Sequence, residues 1–110
     1  MLAKVKNRLN VKTSEQHEIV AGDLILDLFE YTLTVNQKIY ELTKVEFQVL
    51  KLLMESPNRV FTKAQIYSAG WDDYYVEDDN SIRVIMNRLR DKVGKERIQT
   101  IRGLGYRLNL

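Results

Sequence analysis

The sequence predicts one α+β domain in which a small antiparallel sheet comes first, three helices follow, and a β-hairpin closes the chain. Three observations support this order: short alternating runs over residues 19–42, helical apolar spacing with cap signals over residues 43–93, and paired glycines near the end. Side chains repeat with a period of 2 in strands and about 3.6 in helices, so a change of period marks a change of element. A length of 110 residues suits one such domain.

Composition indicates a folded chain without disulfides. Hydrophobic residues make up 45% and charged residues 29%, which is ordinary for a globular protein. The absence of cysteine excludes disulfides and thiolate metal sites and allows a reducing compartment. No apolar run reaches the ~18–20 residues of a spanning helix, and no signal-peptide pattern opens the chain. We therefore expect a soluble domain.

The N-terminal part divides into a helical segment, a linker and a sheet. Residues 1–10, MLAKVKNRLN, have apolar residues at helical spacing, and VKTSEQHE lacks any apolar period. The runs EIVAG, DLILDLF, YTLTV and KIYEL then predict four strands in meander order. In YTLTV, Tyr31, Leu33 and Val35 share one face. A tight hairpin follows at Asn36, because asparagine tolerates positive φ.

Two capping boxes mark the first two helices. Thr43 and Glu46 have the spacing at which each side chain accepts the other's exposed backbone N–H. The helix behind them should end before Pro57, and four apolar residues should be buried along it: Phe47, Leu50, Leu53 and Met54. Thr62 and Gln65 repeat the pattern for a shorter helix that ends near Gly70.

A third helix and a terminal hairpin complete the order. The helix should begin among Asp78, Asp79 and Asn80, and its apolar stripe consists of Ile82, Met86, Leu89 and Val93. The closing run IQTIRGLGYRLNL predicts two short strands joined across Gly103 and Gly105. Three helices followed by a hairpin are the order of a winged helix-turn-helix domain, in which the hairpin is the wing.

Charge is distributed unevenly along the chain. Residues 80–110 carry 8 basic and 2 acidic side chains, a balance of +6, whereas residues 1–79 have a balance of −4. A basic end is either a solvated surface or a binding surface for a phosphate backbone. Charge alone leaves both readings open.

The outward face of the third helix favours the second reading. Its centre is formed by Asn80, Val84, Asn87 and Arg88. Arg83 and Arg90 lie on one flank, and the other flank consists of Ser81, Arg88 and Lys92. A helix in a major groove needs base-reading groups in the middle and phosphate donors beside them. Val84 could then contact a thymine methyl, or it could be a single exposed apolar residue. Ile85, at the edge of the stripe, could belong partly to the core and partly to the groove.

The predicted wing adds a second candidate contact. Arg102 lies beside the turn, where little packing is available, so a phosphate or minor-groove role is favoured. Gly103 and Gly105 let the backbone bend and approach a partner closely. Because strand side chains alternate, one of Tyr106 and Arg107 must face inward.

Signals of catalysis are weak. His17 is the sole histidine and is expected at the surface. The acidic run at 72–79 lacks the alternating ligands and glycine of a calcium loop. Gly103-Leu104-Gly105 precedes a strand, which does not fit a nucleotide fingerprint. We expect neither an enzyme nor a metal or cofactor site.

The motifs LT-x-x-EF and RG-x-GYR, at this separation, resemble those of the DNA-binding effector domain of OmpR/PhoB-type response regulators. The resemblance covers residues 19–110, and residues 1–10 are similar to the last helix of a receiver domain. It implies a receiver remnant and linker over residues 1–17 and an effector domain over residues 18–110. It also implies a cytoplasmic protein that binds double-stranded DNA at direct-repeat promoter sites. The implied partners are RNA polymerase and, in the full-length protein, its own receiver domain and a cognate sensor kinase.

The resemblance also implies roles for individual residues. The groove-facing positions fall on Ser81, Val84, Ile85, Asn87 and Arg88. The DNA backbone contacts fall on Trp71, Thr100 and Tyr106, and the wing contact falls on Arg102. The polymerase-facing loop consists of Asp72, Asp73, Tyr74, Tyr75, Val76, Glu77 and Asp78.

Two positions depart from the family pattern. Asn80 stands where arginine is frequent, and Asp91 stands where a basic residue is common, so phosphate affinity should be lower than in relatives. Without its receiver domain, the chain is expected to be monomeric off DNA. The alternative is a winged helix that serves as a protein-interaction module and does not read bases.

Overall fold

The computed structural model describes residues 17–71 and 79–110. A four-stranded antiparallel sheet comes first, in the order β1-β2-β3-β4. Its strands are β1 (Glu18–Ala21), β2 (Leu24–Asp27), β3 (Thr32–Val35) and β4 (Lys38–Glu41). The predicted meander is confirmed. The helical segment predicted for residues 1–10 lies outside the described residues.

The hairpin between β3 and β4 turns at two residues in the left-handed region. Asn36 has φ 49° and Gln37 has φ 73°, the sign that a two-residue hairpin with the sheet's right-handed twist requires. Tyr31 differs from its predicted strand position: it precedes β3 with φ 58°. Its ring nevertheless stacks on Phe47, with centroids 4.2 Å apart, so it packs against the first helix.

The three helices are α1 (Lys44–Glu55), α2 (Lys63–Gly70) and α3 (Asp79–Val93). Both capping boxes are present: Thr43 and Glu46 exchange bonds of 2.9 and 3.2 Å, and Thr62 and Gln65 exchange bonds of 2.9 and 3.1 Å. The helix starts are therefore fixed locally, as the sequence predicts.

Close packing explains where α2 meets α1. A Cβ placed on Gly70 would lie 2.9 Å from Cγ2 of Val49, so a larger residue would push the helices apart. Trp71 is the C-cap of α2, and its backbone N–H donates to the carbonyl of Tyr67 over 2.8 Å.

The wing is a three-stranded sheet rather than an isolated hairpin. Its strands are β5 (Val60–Thr62), β6 (Ile98–Ile101) and β7 (Gly105–Leu108), in the order β5-β7-β6. A Cβ on Gly105 would overlap the carbonyl of Phe61 on β5, so this position requires glycine. No local pattern predicts β5, because its three residues are too few to show an alternation.

One hydrophobic core joins the sheet, the helices and the wing. The predicted core residues of α1 and the stripe of α3 are all buried, as are Ile98, Tyr106 and Leu108 from the wing. Within residues 17–71 and 79–110, no helix is long and apolar enough to cross a bilayer.

Candidate nucleic-acid interface

The outward face of α3 carries an exposed valine among polar and basic side chains. Val84 is 46% exposed, whereas Ile82, Met86 and Leu89 on the opposite side are buried. The 15-residue helix thus has the two faces that its sequence predicts. Ile85 is only 8% exposed, so most of its surface is buried in the core.

Two arginines of this face are available to a partner. Arg83 and Arg88 are exposed on either side of Val84. Neither makes a hydrogen bond or ion pair with another residue that the structure describes. Unpaired guanidinium groups beside an exposed apolar residue fit a ligand that offers both phosphates and base edges.

A shallow cleft lies at the N-terminal end of this face. It is lined by Val45, Trp71, Asn80, Ser81, Val84 and Ile85. The cleft thus brings Trp71, at the end of α2, next to the start of α3. Trp71 is one of the residues predicted to contact the DNA backbone. Asn80 and Ser81 already make interactions within the chain, so they form part of the wall of the cleft.

Arg90 connects α3 to the wing. Its Nη1 donates to Oδ1 of Asn87 over 3.2 Å, and its Nη2 donates to Oγ1 of Thr100 over 2.8 Å. Its Nε donates to the carbonyl of Ile98 over 3.0 Å. The helical pattern predicts Arg90 on a phosphate-donating flank, but in the structure its three donor nitrogens all bond to the domain itself.

Lys92 also has an internal partner. Its Nζ lies 3.3 Å from Oε2 of Glu46, with side-chain exposures of 20% and 3%. The pair links α1 to α3. Because the carboxylate is buried, loss of its cation would be costly to the fold. The geometry therefore favours a structural role over the phosphate contact predicted for Lys92.

The wing turn is open to solvent. Arg102 is exposed and has no hydrogen-bond or ion-pair partner within the described ranges, and Gly103 takes φ 78° beside it. Leu104, at the same turn, is an exposed apolar residue (56% exposed) that the sequence pattern did not mark as a candidate contact. Tyr106 takes the inward position, while Arg107 turns to Gln99 and Asn109 over 2.6 and 3.0 Å. Because Tyr106 is buried, it has little surface left for the predicted contact with the DNA backbone.

Two further predicted features lie at the margins of this surface. The acidic loop predicted to face RNA polymerase, residues 72–78, lies outside the described residues. His17 is at the surface, as predicted, and its ring stacks on Phe29 with centroids 5.0 Å apart.

Comparison with known proteins defines the class to which this fold and surface belong. The family of the C-terminal domain of transcriptional regulatory proteins matches residues 36–108. The chain belongs to this family, the OmpR/PhoB-type winged-helix DNA-binding domains of response regulators.

Individual relatives agree with this membership. The chain is 38% identical over 90 residues to the uncharacterized transcriptional regulatory protein YcbL of Bacillus subtilis (strain 168), covering 77% of this chain and 40% of YcbL. It is 37% identical over 97 residues to the heme response regulator HssR of Staphylococcus epidermidis, covering 84% of this chain and 43% of HssR. The chain thus spans less than half the length of these curated relatives.

Solved structures share the fold. The C-terminal domain of the nisin resistance regulator NsrR is 33% identical with a TM-score of 0.69, over 83% of this chain and 95% of that one. The DNA-binding domain of CpxR from E. coli has a TM-score of 0.72 over 84% of this chain and 95% of that one, at 23% identity, and so shows the fold alone.

Proposed function

We propose that this domain binds double-stranded DNA sequence-specifically and controls transcription as the output part of a two-component response regulator. The observation that carries the proposal is the outward face of α3, where exposed Val84 lies between Arg83 and Arg88, both without partners in the described chain. DNA suits this arrangement, because its phosphates can bind the two guanidinium groups and its thymine methyl groups can contact the valine.

The proposed mechanism places α3 in the major groove, which at about 12 Å wide admits a helix. Val84 contacts a thymine methyl and contributes discrimination between bases. Arg83 and Arg88 bind phosphates or guanine edges, because a guanidinium donates to both. Arg102 reaches a phosphate or the minor groove from the wing turn. Arg90 holds helix and wing together, so both contacts approach the duplex as one unit.

We also propose the arrangement of the whole protein. Residues 1–17 connect the effector domain to a receiver domain, whose state is set by a sensor kinase. The domain is monomeric off DNA and occupies direct repeats spaced by about one helical turn, ~10–10.5 bp. The loop over residues 72–78 faces RNA polymerase, since its cluster of acids would be repelled by DNA.

The alternative function is a protein-interaction module that does not read bases. The two functions differ in their salt dependence, because each neutralised phosphate contributes about 0.9 to the slope of log affinity against log salt. A module without phosphate contacts would have a slope near zero on any duplex.

Selection of binding sites from a random duplex pool tests the proposal. We expect enrichment of a direct repeat and roughly 10³-fold or greater preference for it over a scrambled duplex. Binding isotherms at two salt concentrations should give a steep slope on both duplexes. Failure to enrich any sequence, together with a flat salt slope, would exclude the proposed function and favour the interaction module.

A further inference from the structure

The outer face of the N-terminal sheet carries a row of apolar side chains that the core does not use. The inner face is buried in the core through four side chains of β2 and β3: Leu24, Leu26, Leu33 and Val35. Because strand side chains alternate, the residues between them face outward. The strand register places four of these outward residues side by side across the whole sheet: Val20, Ile25, Thr34 and Ile39. At its two ends this apolar row is open to solvent, since Val20 is 62% and Ile39 is 69% exposed.

A row of acids runs beside the apolar row on the same face. Glu18 is paired with Asp27, and Thr32 is paired with both Asp27 and Glu41, two residues along each strand from the apolar row. Within residues 17–71 and 79–110, none of the three carboxylates has an ion-pair partner. Like charges directly opposite each other on two strands are destabilising, so a cation beside Glu18 and Asp27 would relieve the pair. The outer face therefore fits a ligand that has an apolar strip with cations next to it.

Residues 1–10 of the same chain have the complementary pattern. Leu2, Val5 and Leu9 would share one face of a helix. At about 100° per residue, Lys6 and Arg8 flank that stripe on its two sides. The segment contains no acidic residue, so its charge is opposite to that of the acidic row. Apolar and charged groups can thus be matched at the same time.

The chain enters the sheet at a place from which this segment can reach the outer face. β1 is an edge strand, and His17 directly precedes it. The carbonyl of His17 accepts the backbone N–H of Leu28 over 2.7 Å, and its ring stacks on Phe29. Residues 11–16 span roughly 20 Å when extended, at ~3.3 Å per residue. Four strands ~4.8 Å apart are only ~14 Å wide, and a helix of ten residues is ~15 Å long, so the segment can lie across the whole sheet.

We propose that residues 1–10 form a short basic helix that packs on the outer face of the N-terminal sheet of the same chain. Its apolar stripe covers the apolar row, and its basic side chains lie beside the acidic row. An exposed apolar strip bordered by charged residues is typical of an interaction site. The contact covers Val20 and Ile39 and fixes the path of residues 11–16 over the sheet. It lies on the N-terminal sheet and does not depend on the proposed DNA binding by α3 and the wing.

Paramagnetic broadening of amide NMR signals tests the contact in the full 110-residue chain. The chain has no cysteine, so a nitroxide can be attached at a single introduced one. Asn7→Cys places it on the side of the segment opposite the apolar stripe, where it does not disturb the contact. Signals should be lost along β1 and also at Tyr40 on β4, three strands away from the entry point of the chain. The signal of Val84 on α3 should be unaffected.

Substitutions on the sheet separate docking from simple tethering. Val20→Thr combined with Ile39→Thr keeps β-branched residues in the strands but removes apolar surface, so the signal of Tyr40 should reappear. Glu18→Gln combined with Glu41→Gln should restore it in part. In wild type, ~1 M salt should have a similar effect, because the Debye length falls to ~3 Å. Leu104→Thr, at an apolar residue that is 56% exposed on the wing turn, is the matched control and should leave the broadening unchanged.

Two results would overturn the inference. One is broadening at Tyr40 that is absent in wild type or persists in the Val20→Thr, Ile39→Thr variant, because the segment would then be only tethered. The other comes from mixing nitroxide-bearing chains that carry no NMR isotope with isotope-labelled chains that carry no nitroxide. Broadening in that mixture would show that the face binds the segment of a second copy. Preference of the same samples for the selected duplex over a scrambled one is measured separately, and its loss would overturn the proposed function while leaving the docking result in place.

Discussion

Nζ of Lys92 lies 3.3 Å from Oε2 of Glu46, and the other carboxylate oxygen of Glu46 accepts the backbone N–H of Thr43 over 2.9 Å. One buried side chain therefore caps the start of α1 and holds the last turn of α3. The capping box is visible in the sequence, but the pairing across 46 residues is not.

Lys92→Met should destabilise the domain because it leaves the Glu46 carboxylate buried without its cation. We expect a loss of about 2–3 kcal/mol in the free energy of unfolding, below the ~3–5 kcal/mol of a fully buried pair because Lys92 is 20% exposed. Urea denaturation measures this. Affinity for random duplex should be retained by the folded variant. Unchanged stability with weakened DNA binding would restore the phosphate contact predicted from sequence.

Asp23 and Arg97 form an ion pair that ties the β1–β2 turn to the segment before β6. The hydrogen bond from Arg97 lowers the pKa of Asp23 below its usual 3.8, and the charge of Arg97 adds to the effect. A carboxylate with a depressed pKa stabilises the fold above its unfolded pKa and loses that contribution as the pH falls.

Asp23→Asn should therefore have a lower melting temperature than wild type near neutral pH. The difference should shrink as the pH falls below 3.8 toward the lowered pKa of the folded state. Asp91→Asn, at an exposed carboxylate without an ion pair in the described chain, is the control. A melting-temperature difference that is independent of pH would show that the carboxylate charge is not the cause.

Arg102→Ala should weaken binding to every duplex about equally and reduce the salt slope by roughly 1, because one phosphate contact is lost. Lys38→Ala, in the N-terminal sheet, should change neither quantity. Isotherms at several salt concentrations measure both variants. If the salt slope of Arg102→Ala equals that of wild type, the wing arginine does not contact phosphate.

Substitutions in the acidic loop over residues 72–78 should separate DNA binding from transcription. Replacing Asp72, Asp73, Glu77 and Asp78 by their amides should leave affinity for the selected duplex intact. Transcription from a promoter carrying that site should fall, because the proposed polymerase surface has lost its charge. Full transcription with these substitutions, or loss of DNA binding, would contradict the assignment of the loop.

Sequence patterns predict the elements of this fold better than the pairings between them. Period, caps and turn residues are local, so the meander sheet, the three helices and the wing hairpin follow from the sequence. The strand β5 is three residues long and is defined by its pairing with β7, which no local pattern reveals.

The same limit applies to the interface. The exposure of Val84 follows from helical periodicity and is confirmed. The internal bonds of Arg90 depend on contacts with Thr100 and Ile98 on the wing, and those of Lys92 depend on Glu46. An arginine or lysine on a helix has the same pattern whether its partner is a phosphate or another part of the domain.

The central claim is that the outward face of α3 reads bases, and Val84 is the residue through which it is tested. Because Val84 is 46% exposed, Val84→Ala should change the free energy of unfolding by no more than ~0.5 kcal/mol. Leu89→Ala, which removes a buried side chain, should cost about 2–5 kcal/mol. Val84→Ala should lose affinity for the selected site and hardly any for random duplex, since a methyl contact carries sequence information.

The most direct measurement replaces each thymine of the selected site by uracil, which lacks the methyl group, and compares wild type with Val84→Ala. We predict that one replacement weakens wild type while leaving Val84→Ala nearly unchanged. If no single replacement distinguishes the two proteins, Val84 does not read a thymine methyl, and the central claim that this exposed valine contributes base discrimination is contradicted.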